Sequence, residues 1–226
     1  MTEPTRRAVM GALATGAGAL ALAGCGRRRE EHEATEILPV EDLMREHGVL
    51  RRVVLVYDAC ALKLDTGQDL SPDVVTRSAD IVRRFIEDYH ERDEEEDVFP
   101  LFQRARKFEK LVGVLRDQHQ VGRRLTDEIA ATTLRTFKDE QGRNRLVSVM
   151  RQFGYMYRAH AAREDTILFP AIREIITPHA YHELGEKFED EEKKKFGEHG
   201  FEAIVGQVAQ IERDVGIFDL ATATPS

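Results

Sequence analysis

The 226-residue chain is short of the residues that define several protein classes. Its two cysteines are too few for a disulfide framework or a cysteine-rich zinc or iron–sulfur site. Acidic residues outnumber basic ones by 41 to 33, and the net charge of −8 argues against a nucleic-acid-binding surface. No apolar run reaches the roughly 18 residues of a membrane-spanning helix. The low counts of glycine and proline, 16 and 7, together with long charged segments favour an all-helical protein.

The first 24 residues have the pattern of an export signal. Arg6 and Arg7 precede a short, mildly apolar run over residues 9–23, and Gly24 and Cys25 follow it. A charged start, a short apolar stretch and small residues before a cleavage point are typical of a signal peptide. The paired arginines resemble a twin-arginine signal, and the Leu-Ala-Gly-Cys sequence that ends at Cys25 resembles a bacterial lipobox. The pattern predicts cleavage before Cys25, lipidation of its sulfur, and a membrane-anchored lipoprotein of the cell envelope that faces the periplasm or another extracytoplasmic space.

The segment after the signal is predicted to be a polar tether. It covers residues 25–39 and contains an arginine triplet at 27–29, which would be attracted to anionic lipid head groups. If Cys25 carries a lipid, Cys60 is left as a lone thiol. The simplest interpretation of Cys60 is a small buried hydrophobic residue.

A repeat organises the remainder of the chain. Two elements of the form His-x3-Glu-x3-[Val/Leu]-Phe-Pro lie 70 residues apart and begin at His90 and His160. Two further histidines with similar downstream segments precede them at an offset of 72, His47 and His119. Each copy therefore has a histidine on a first helix and His-x3-Glu on a second, which predicts two copies of one helical hairpin.

The positions of the helices follow from apolar spacing and stop signals. Four helices are expected over residues 41–64, 72–97, 107–137 and 142–169, and Pro100 is expected to break or kink the second of them. Together they predict an antiparallel four-helix bundle over residues 40–178. One more amphipathic segment, 182–215, lies within a predicted C-terminal helical extension over residues 179–226.

All four histidines are expected at one height in this bundle. Each lies roughly 18 residues from its hairpin turn, or about 26 Å at 1.5 Å per residue, and in antiparallel hairpins equal distance from the turn means equal height. Glu94 and Glu164 follow their histidines by one helical turn and join the same layer. Two carboxylates and four neutral imidazoles are all electron-pair donors, so their burial together is unfavourable without a central cation.

The layer therefore predicts a site for one or two divalent metal ions. Imidazole and carboxylate ligands without thiolate suit iron, manganese or zinc, and a tetrahedral structural zinc would not need six ligands. Asp165 is an alternative to Glu164, because it lies five residues past His160. The six candidate ligands are His47, His90, Glu94, His119, His160 and Glu164.

These motifs resemble the hemerythrin-like, or His-His-Glu cation-binding, proteins over about residues 40–175. The resemblance implies a four-helix bundle around a non-haem di-iron centre with bridging carboxylates, an open position for a small ligand, and the six candidate residues as ligands. Oxygen-carrying hemerythrins have another histidine one turn beyond the ligand of the third helix, where this sequence has Arg123. This departure disfavours reversible oxygen carriage. His199 could replace the missing imidazole if the C-terminal segment folds over the site, and His179 and His182 are weaker alternatives.

Three classes of function remain open at this stage. The first is a binding protein that takes up oxygen or nitric oxide as a sensor or scavenger. The second is an enzyme that degrades peroxide or reduces nitric oxide at the same centre. The third is a metal-storage protein or one in which the metal is structural. The expected partners are a small gaseous or peroxide ligand and, through the N-terminal lipid, a membrane. Tyrosines that could donate protons or electrons are Tyr57, Tyr89, Tyr155 and Tyr157.

Overall fold

The computed structural model describes residues 38–136 and 139–224, and every regular element within these ranges is helical. The predicted all-helical fold class is confirmed. The signal peptide, Cys25 and nearly all of the tether lie outside the described residues. None of the described helices combines the length and hydropathy needed to cross a bilayer. The longer helices of the described residues are α1 (Pro39–Asp65), α2 (72–105), α3 (Glu109–Thr136), α4 (140–175), α5 (Pro178–Phe196) and α6 (Gly200–Val215).

Local signals set several of the helix ends. The carboxylate of Asp139 caps α4 by accepting a hydrogen bond from the backbone N–H of Gly142 at 2.7 Å, and the Thr177 hydroxyl caps α5. The C-terminal segment was predicted as one stretch over residues 182–215, but it forms two helices. Gly197 explains the break, because its φ of 88° lies in a region that favours glycine and terminates α5.

Helices α2 and α4 contain wide, π-helical turns next to the candidate ligands. In α2 these turns occupy Val82–His90 and Glu94–Val98, and in α4 one occupies Glu164–Leu168. The predicted break at Pro100 is not observed, and α2 continues to residue 105. A π turn stands directly before each Phe-Pro step, and its wider spacing accommodates a proline ring that would clash with the preceding turn of an α-helix.

The helices surround a buried polar layer that separates two apolar clusters. Helix α1 packs against α2 and α4, α3 packs against the same two helices, and α5 and α6 pack against α1. On α1, Leu43 belongs to one apolar cluster and Leu50 to the other, and His47 lies between them. Cys60 is fully buried in the second cluster, where burial raises the pKa of its thiol to about 12.

Candidate metal centre

The structure brings the six candidate ligands together in the polar layer. Each of them is 2% exposed or less. Their donor atoms form two groups within which all atoms lie within 4.8 Å of one another, and Glu94 belongs to both groups. The first group contains Glu94, His119, His160 and Glu164, and the second contains His47, His90 and Glu94.

The Glu94 carboxylate lies between an imidazole of each hairpin. Its Oε1 is 3.7 Å from Nε2 of His90, one turn earlier on the same helix. Its Oε2 is 3.3 Å from Nε2 of His119 on α3. The ring of Phe99, from the first Phe-Pro step, stacks on the His119 ring with centroids 5.5 Å apart. The first pair of helices, α1 and α2, thus supplies the Glu94 carboxylate and the Phe99 ring that contact His119 on α3.

The Glu164 carboxylate repeats this arrangement from the other hairpin. Its Oε2 is 2.9 Å from Nε2 of His160 on the same helix and 3.3 Å from Nε2 of His47 on α1. The ring of Phe169, from the second Phe-Pro step, stacks on the His47 ring at 5.3 Å. A buried carboxylate between two imidazoles is a donor arrangement that suits a cation.

Each of the four imidazoles is held from outside the centre through its Nδ1 atom. Such an outer hydrogen bond fixes the ring orientation of metal-ligating histidines and leaves the other nitrogen for the metal. Asp165, the alternative to Glu164, serves as one of these outer partners and does not face the centre. The pairs are His47 with Asp165 (2.7 Å), His90 with Glu46 (2.7 Å), His119 with Glu95 (2.9 Å) and His160 with Gln118 (3.0 Å).

Three of these outer partners, Glu46, Glu95 and Gln118, were missed by the sequence analysis, although the repeat contains a signal for them. Glu46 and Gln118 each come directly before the first histidine of a hairpin. Glu95 and Asp165 each come directly after the glutamate of the His-x3-Glu motif. Polar residues at equivalent positions beside the ligands would have been enough to select them.

The donor atoms themselves are suited to a metal because they lack other partners. Both carboxylate oxygens of Glu94 and of Glu164, and Nε2 of His47 and of His90, are buried and make no well-directed hydrogen bond, and the nearest approach among them is the 2.9 Å between Glu164 Oε2 and Nε2 of His160. An unsatisfied buried polar atom costs about 1–3 kcal/mol, so an arrangement with several of them is costly unless a cation binds their lone pairs.

The electrostatics of the layer also favour a cation. Burial lowers the pKa of the His90 imidazole to about 4. Burial alone would also lower the pKa of His119, but the nearby carboxylates of Glu91, Glu94 and Glu95 raise it to about 10. Burial alone would raise the pKa of Glu164, but the adjacent imidazoles, above all His160, hold it below its usual range. Metal ligation needs ionised carboxylates and neutral imidazoles, so metal binding at His119 must displace a proton.

Arg123 forms an ion-pair network beside the centre. Its Nη2 lies 3.0 Å from Glu91 Oε2 and 2.9 Å from Glu95 Oε1. The Tyr157 hydroxyl donates to the other oxygen of Glu91 at 2.6 Å. A Cβ at residue 122 would lie 1.9 Å from the Tyr157 hydroxyl oxygen, so Gly122 is required for this contact. Where oxygen carriers are expected to have a histidine ligand, this chain therefore has a guanidinium that neutralises two carboxylates.

The additional histidines considered from the sequence do not reach the centre. His199 is exposed at the start of α6, and His179 and His182 have side chains that are 82% and 51% exposed. None of the three belongs to a donor group among the described residues. Helix α5 does pass beside the polar layer, where Glu191 pairs with Arg92, but these three histidines lie on exposed positions of α5 and at the start of α6.

Comparison with known proteins agrees with this geometry. The family model of the hemerythrin HHE cation binding domain matches residues 38–193, and the chain belongs to this family. Uncharacterized proteins of Mycobacterium tuberculosis (Rv1995) and Mycobacterium bovis (Mb2018) are each 42% identical over 232 residues, which covers 98% of this chain and 91% of the relative. No solved structure gives a significant match. Family membership and the clustered histidines and glutamates together identify a domain compatible with cation binding.

Proposed function

We propose that the chain is a non-haem di-iron protein that binds a small diatomic ligand, oxygen or nitric oxide, as a sensor or scavenger. The observation that carries this proposal is the pair of overlapping donor groups, which share Glu94 and are also linked through Glu164. Carboxylates shared between two sets of imidazoles are the arrangement expected for two metal ions. Manganese and zinc are the alternative metals. The proposal includes the antiparallel topology of the four helices α1 to α4.

The number of donors supports a site that accepts a further ligand. One group provides four protein donors and the other provides three, with Glu94 counted in both. Iron commonly binds up to six ligand atoms. Coordination positions would therefore remain for an exogenous molecule. A metal bound at this site would supply the open coordination positions and the electrons for redox chemistry. The protein's part is to orient the imidazoles through their outer hydrogen bonds and to keep the layer dry through Phe99 and Phe169.

A second candidate function is an enzyme that degrades peroxide or reduces nitric oxide. The Arg123 network favours it, because Tyr157 places a phenol next to the ligands. The Tyr157 ring centroid is 5.5 Å from that of His160, and its hydroxyl is hydrogen-bonded to Glu91, the residue after His90. A phenol held between an imidazole ligand and a carboxylate is positioned to hold or donate a proton during turnover.

We also propose that the protein is exported and anchored by a lipid on Cys25. The support is the order of the signals in the sequence, paired arginines followed by a short apolar run and a Leu-Ala-Gly-Cys tetrad. A twin-arginine route would suit a protein that acquires its metal in the cytoplasm before it crosses the membrane.

The experiment that tests the metal centre is metal analysis of matched histidine variants. We expect about two irons per chain in protein purified aerobically. His90→Ala and His160→Ala should lose metal, whereas the exposed control His182→Ala should retain it. Equal metal content in all four proteins would reject the ligand assignment.

The same iron-loaded protein distinguishes the three classes of function. Near-ultraviolet bands that appear with oxygen or nitric oxide and disappear under vacuum support a sensor or scavenger. Turnover of peroxide or nitric oxide supports the enzyme. Full metal content with neither response would assign the centre to metal storage or to a structural role.

A further inference from the structure

A small cavity opens between α1 and α4 beside the metal centre. Its volume is about 260 Å³. The inner wall is buried, with Leu50, Val54 and Tyr157 between 1% and 3% exposed, and Leu55 lies at the mouth with 54% of its surface exposed. The lining residues are Leu50, Arg51, Val54, Leu55, Tyr157 and Arg158.

The cavity walls are built from residues that contact the surroundings of the ligands. Leu50 lies one turn after His47 on α1, and Tyr157 lies one turn before His160 on α4. Arg51 at the rim pairs with Asp165, whose carboxylate also binds Nδ1 of His47 at 2.7 Å. The rim of the cavity therefore contacts the outer partner of His47, and its inner wall lies next to a ligand, because the ring centroid of Tyr157 is 5.5 Å from that of His160.

The chemistry of the lining selects small uncharged molecules. The inner wall is aliphatic and aromatic, and apolar cavities of this kind bind apolar gases in preference to water. The two arginines at the rim are engaged in ion pairs, Arg51 with Asp165 and Arg158 with Asp58. Their charge is thus largely neutralised by neighbouring carboxylates, so the mouth has little attraction for anions.

We propose that this cavity is the entrance through which oxygen or nitric oxide reaches the metal centre, with Leu55 at the outer opening and Tyr157 at the inner wall. This inference rests on the proposed function. A second cavity of about 600 Å³ lies near the start of α1 and includes Met44 and Phe169. It is the weaker candidate, because the Phe169 ring stacks on His47 and covers the imidazole on that side.

The kinetic test uses variants that close or widen the mouth without changing the core. Leu55→Trp should cover the opening and Leu55→Ala should widen it. Leu62→Trp is the matched control, because Leu62 is similarly exposed on α1, at 60%, and lies two turns further along the same face. The probe is nitric oxide, mixed with the reduced, iron-loaded protein in a stopped-flow spectrometer.

A gate changes the rates of entry and exit together. For Leu55→Trp we expect both the association and dissociation rate constants to fall at least about tenfold while Kd stays unchanged, because the bound state is the same. Leu55→Ala should raise both rates, and Leu62→Trp should leave them unchanged. Rates for Leu55→Trp equal to those of the wild type, or slowing by Met44→Trp instead, would overturn the assignment of the entrance.

A second measurement does not depend on the metal chemistry. Crystals of the protein pressurised with xenon should show xenon in this cavity in the wild type and none in Leu55→Trp. An empty wild-type cavity would overturn the inference directly. If the protein binds neither oxygen nor nitric oxide, the proposed function fails, and the entrance fails with it. If it binds them at undiminished rates in Leu55→Trp, the entrance alone fails.

Discussion

Removal of the metal should destabilise the folded chain, because several buried donor atoms of the polar layer are then left without a counter-charge or a hydrogen bond. Six buried donor atoms make no well-directed hydrogen bond, namely Nε2 of two histidines and four carboxylate oxygens. At about 1–3 kcal/mol for each unsatisfied atom, the total cost is about 6–18 kcal/mol. That range is comparable to the whole stability of a typical domain, about 5–15 kcal/mol.

The lower end of this range is the appropriate expectation, since protonation and water relieve part of the cost in the metal-free protein. For a chain of this size, 1 kcal/mol shifts Tm by about 2–4 °C, so about 6 kcal/mol corresponds to a fall of roughly 12–24 °C. The assay is thermal unfolding followed by circular dichroism, on metal-loaded protein, on chelator-treated protein, and on treated protein after the addition of ferrous iron.

Two further results are expected from this experiment. Reloading with iron should restore Tm, because binding to the folded state alone shifts the unfolding equilibrium. The exposed-histidine variant His182→Ala should show the same fall as the wild type, since it removes no donor. If the metal-free and metal-loaded proteins unfold within about 2 °C of each other, the layer is compensated in some other way and the reasoning is refuted.

Two other predictions concern the start of α1 and the N-terminus. Burial, together with Glu46 and Glu192, raises the pKa of Asp42 from 3.8 to about 7 against the opposing effect of Arg45. The folded state then binds more protons than the unfolded state between about pH 4 and 7, so stability falls as pH rises through that window. Asp42→Asn should therefore increase stability by about 1–3 kcal/mol at pH 8 and by little at pH 4, as measured by thermal unfolding; an unchanged difference across pH would contradict this. Cys25→Ser should release the protein from the membrane fraction, and unchanged fractionation would exclude the lipid anchor.

The sequence predicted the polar layer well because its signals are local and repeated. The distance of each histidine from its hairpin turn can be counted along the chain, and a glutamate four residues after a histidine must share its helix face. These two facts are enough to bring His47, His90, His119 and His160 into one layer with both glutamates. The structure places all six side chains there, each at most 2% exposed.

The sequence was less informative where the outcome depends on a backbone detail. Pro100 was expected to break or kink α2; the helix is not broken, because the π turn over Glu94–Val98 accommodates the proline ring and lets the helix continue. The break between α5 and α6 at Gly197 was not predicted from the sequence. The apolar pattern continues across it, and a single glycine within a periodic stretch does not reveal its φ angle.

The outer partners could not be assigned to individual ligands from the sequence, although their positions are repeated. The hydrogen bonds of Glu46 and Gln118 stay within their own hairpins, to His90 and His160. Those of Glu95 and Asp165 cross to the other hairpin instead. Which nitrogen meets which oxygen depends on how the two hairpins pack, and neither spacing nor composition specifies that packing.

The ion pairs of two arginines also follow the sequence repeat. Arg51 and Arg123 occupy equivalent positions, each four residues after the first histidine of its hairpin. Arg51 pairs with Asp165 and Arg123 with Glu95, and each of these carboxylates binds the histidine on the arginine's own helix. Arg123 is therefore an ordinary member of the repeat at this contact.

The repeat is broken at the residues next to these arginines, and the break gives the two donor groups different surroundings. The position of Leu50 in the first hairpin is taken by Gly122 in the second. Leu50 lines the cavity between α1 and α4, whereas Gly122 leaves the space in which Tyr157 reaches Glu91. The missing side chain at Gly122 thus leaves room for a polar network beside the donor group that contains His119 and His160, whereas Leu50 forms an apolar wall beside His47 in the other group. Tyr157 belongs to both features, because its side chain lines the cavity and its hydroxyl donates to Glu91, so the asymmetry places a hydrogen-bonded phenol at the inner wall of the apolar cavity. Under the proposed function, the six donors determine whether metal binds, and positions 50, 122 and 157 are expected to influence which small molecule reaches it.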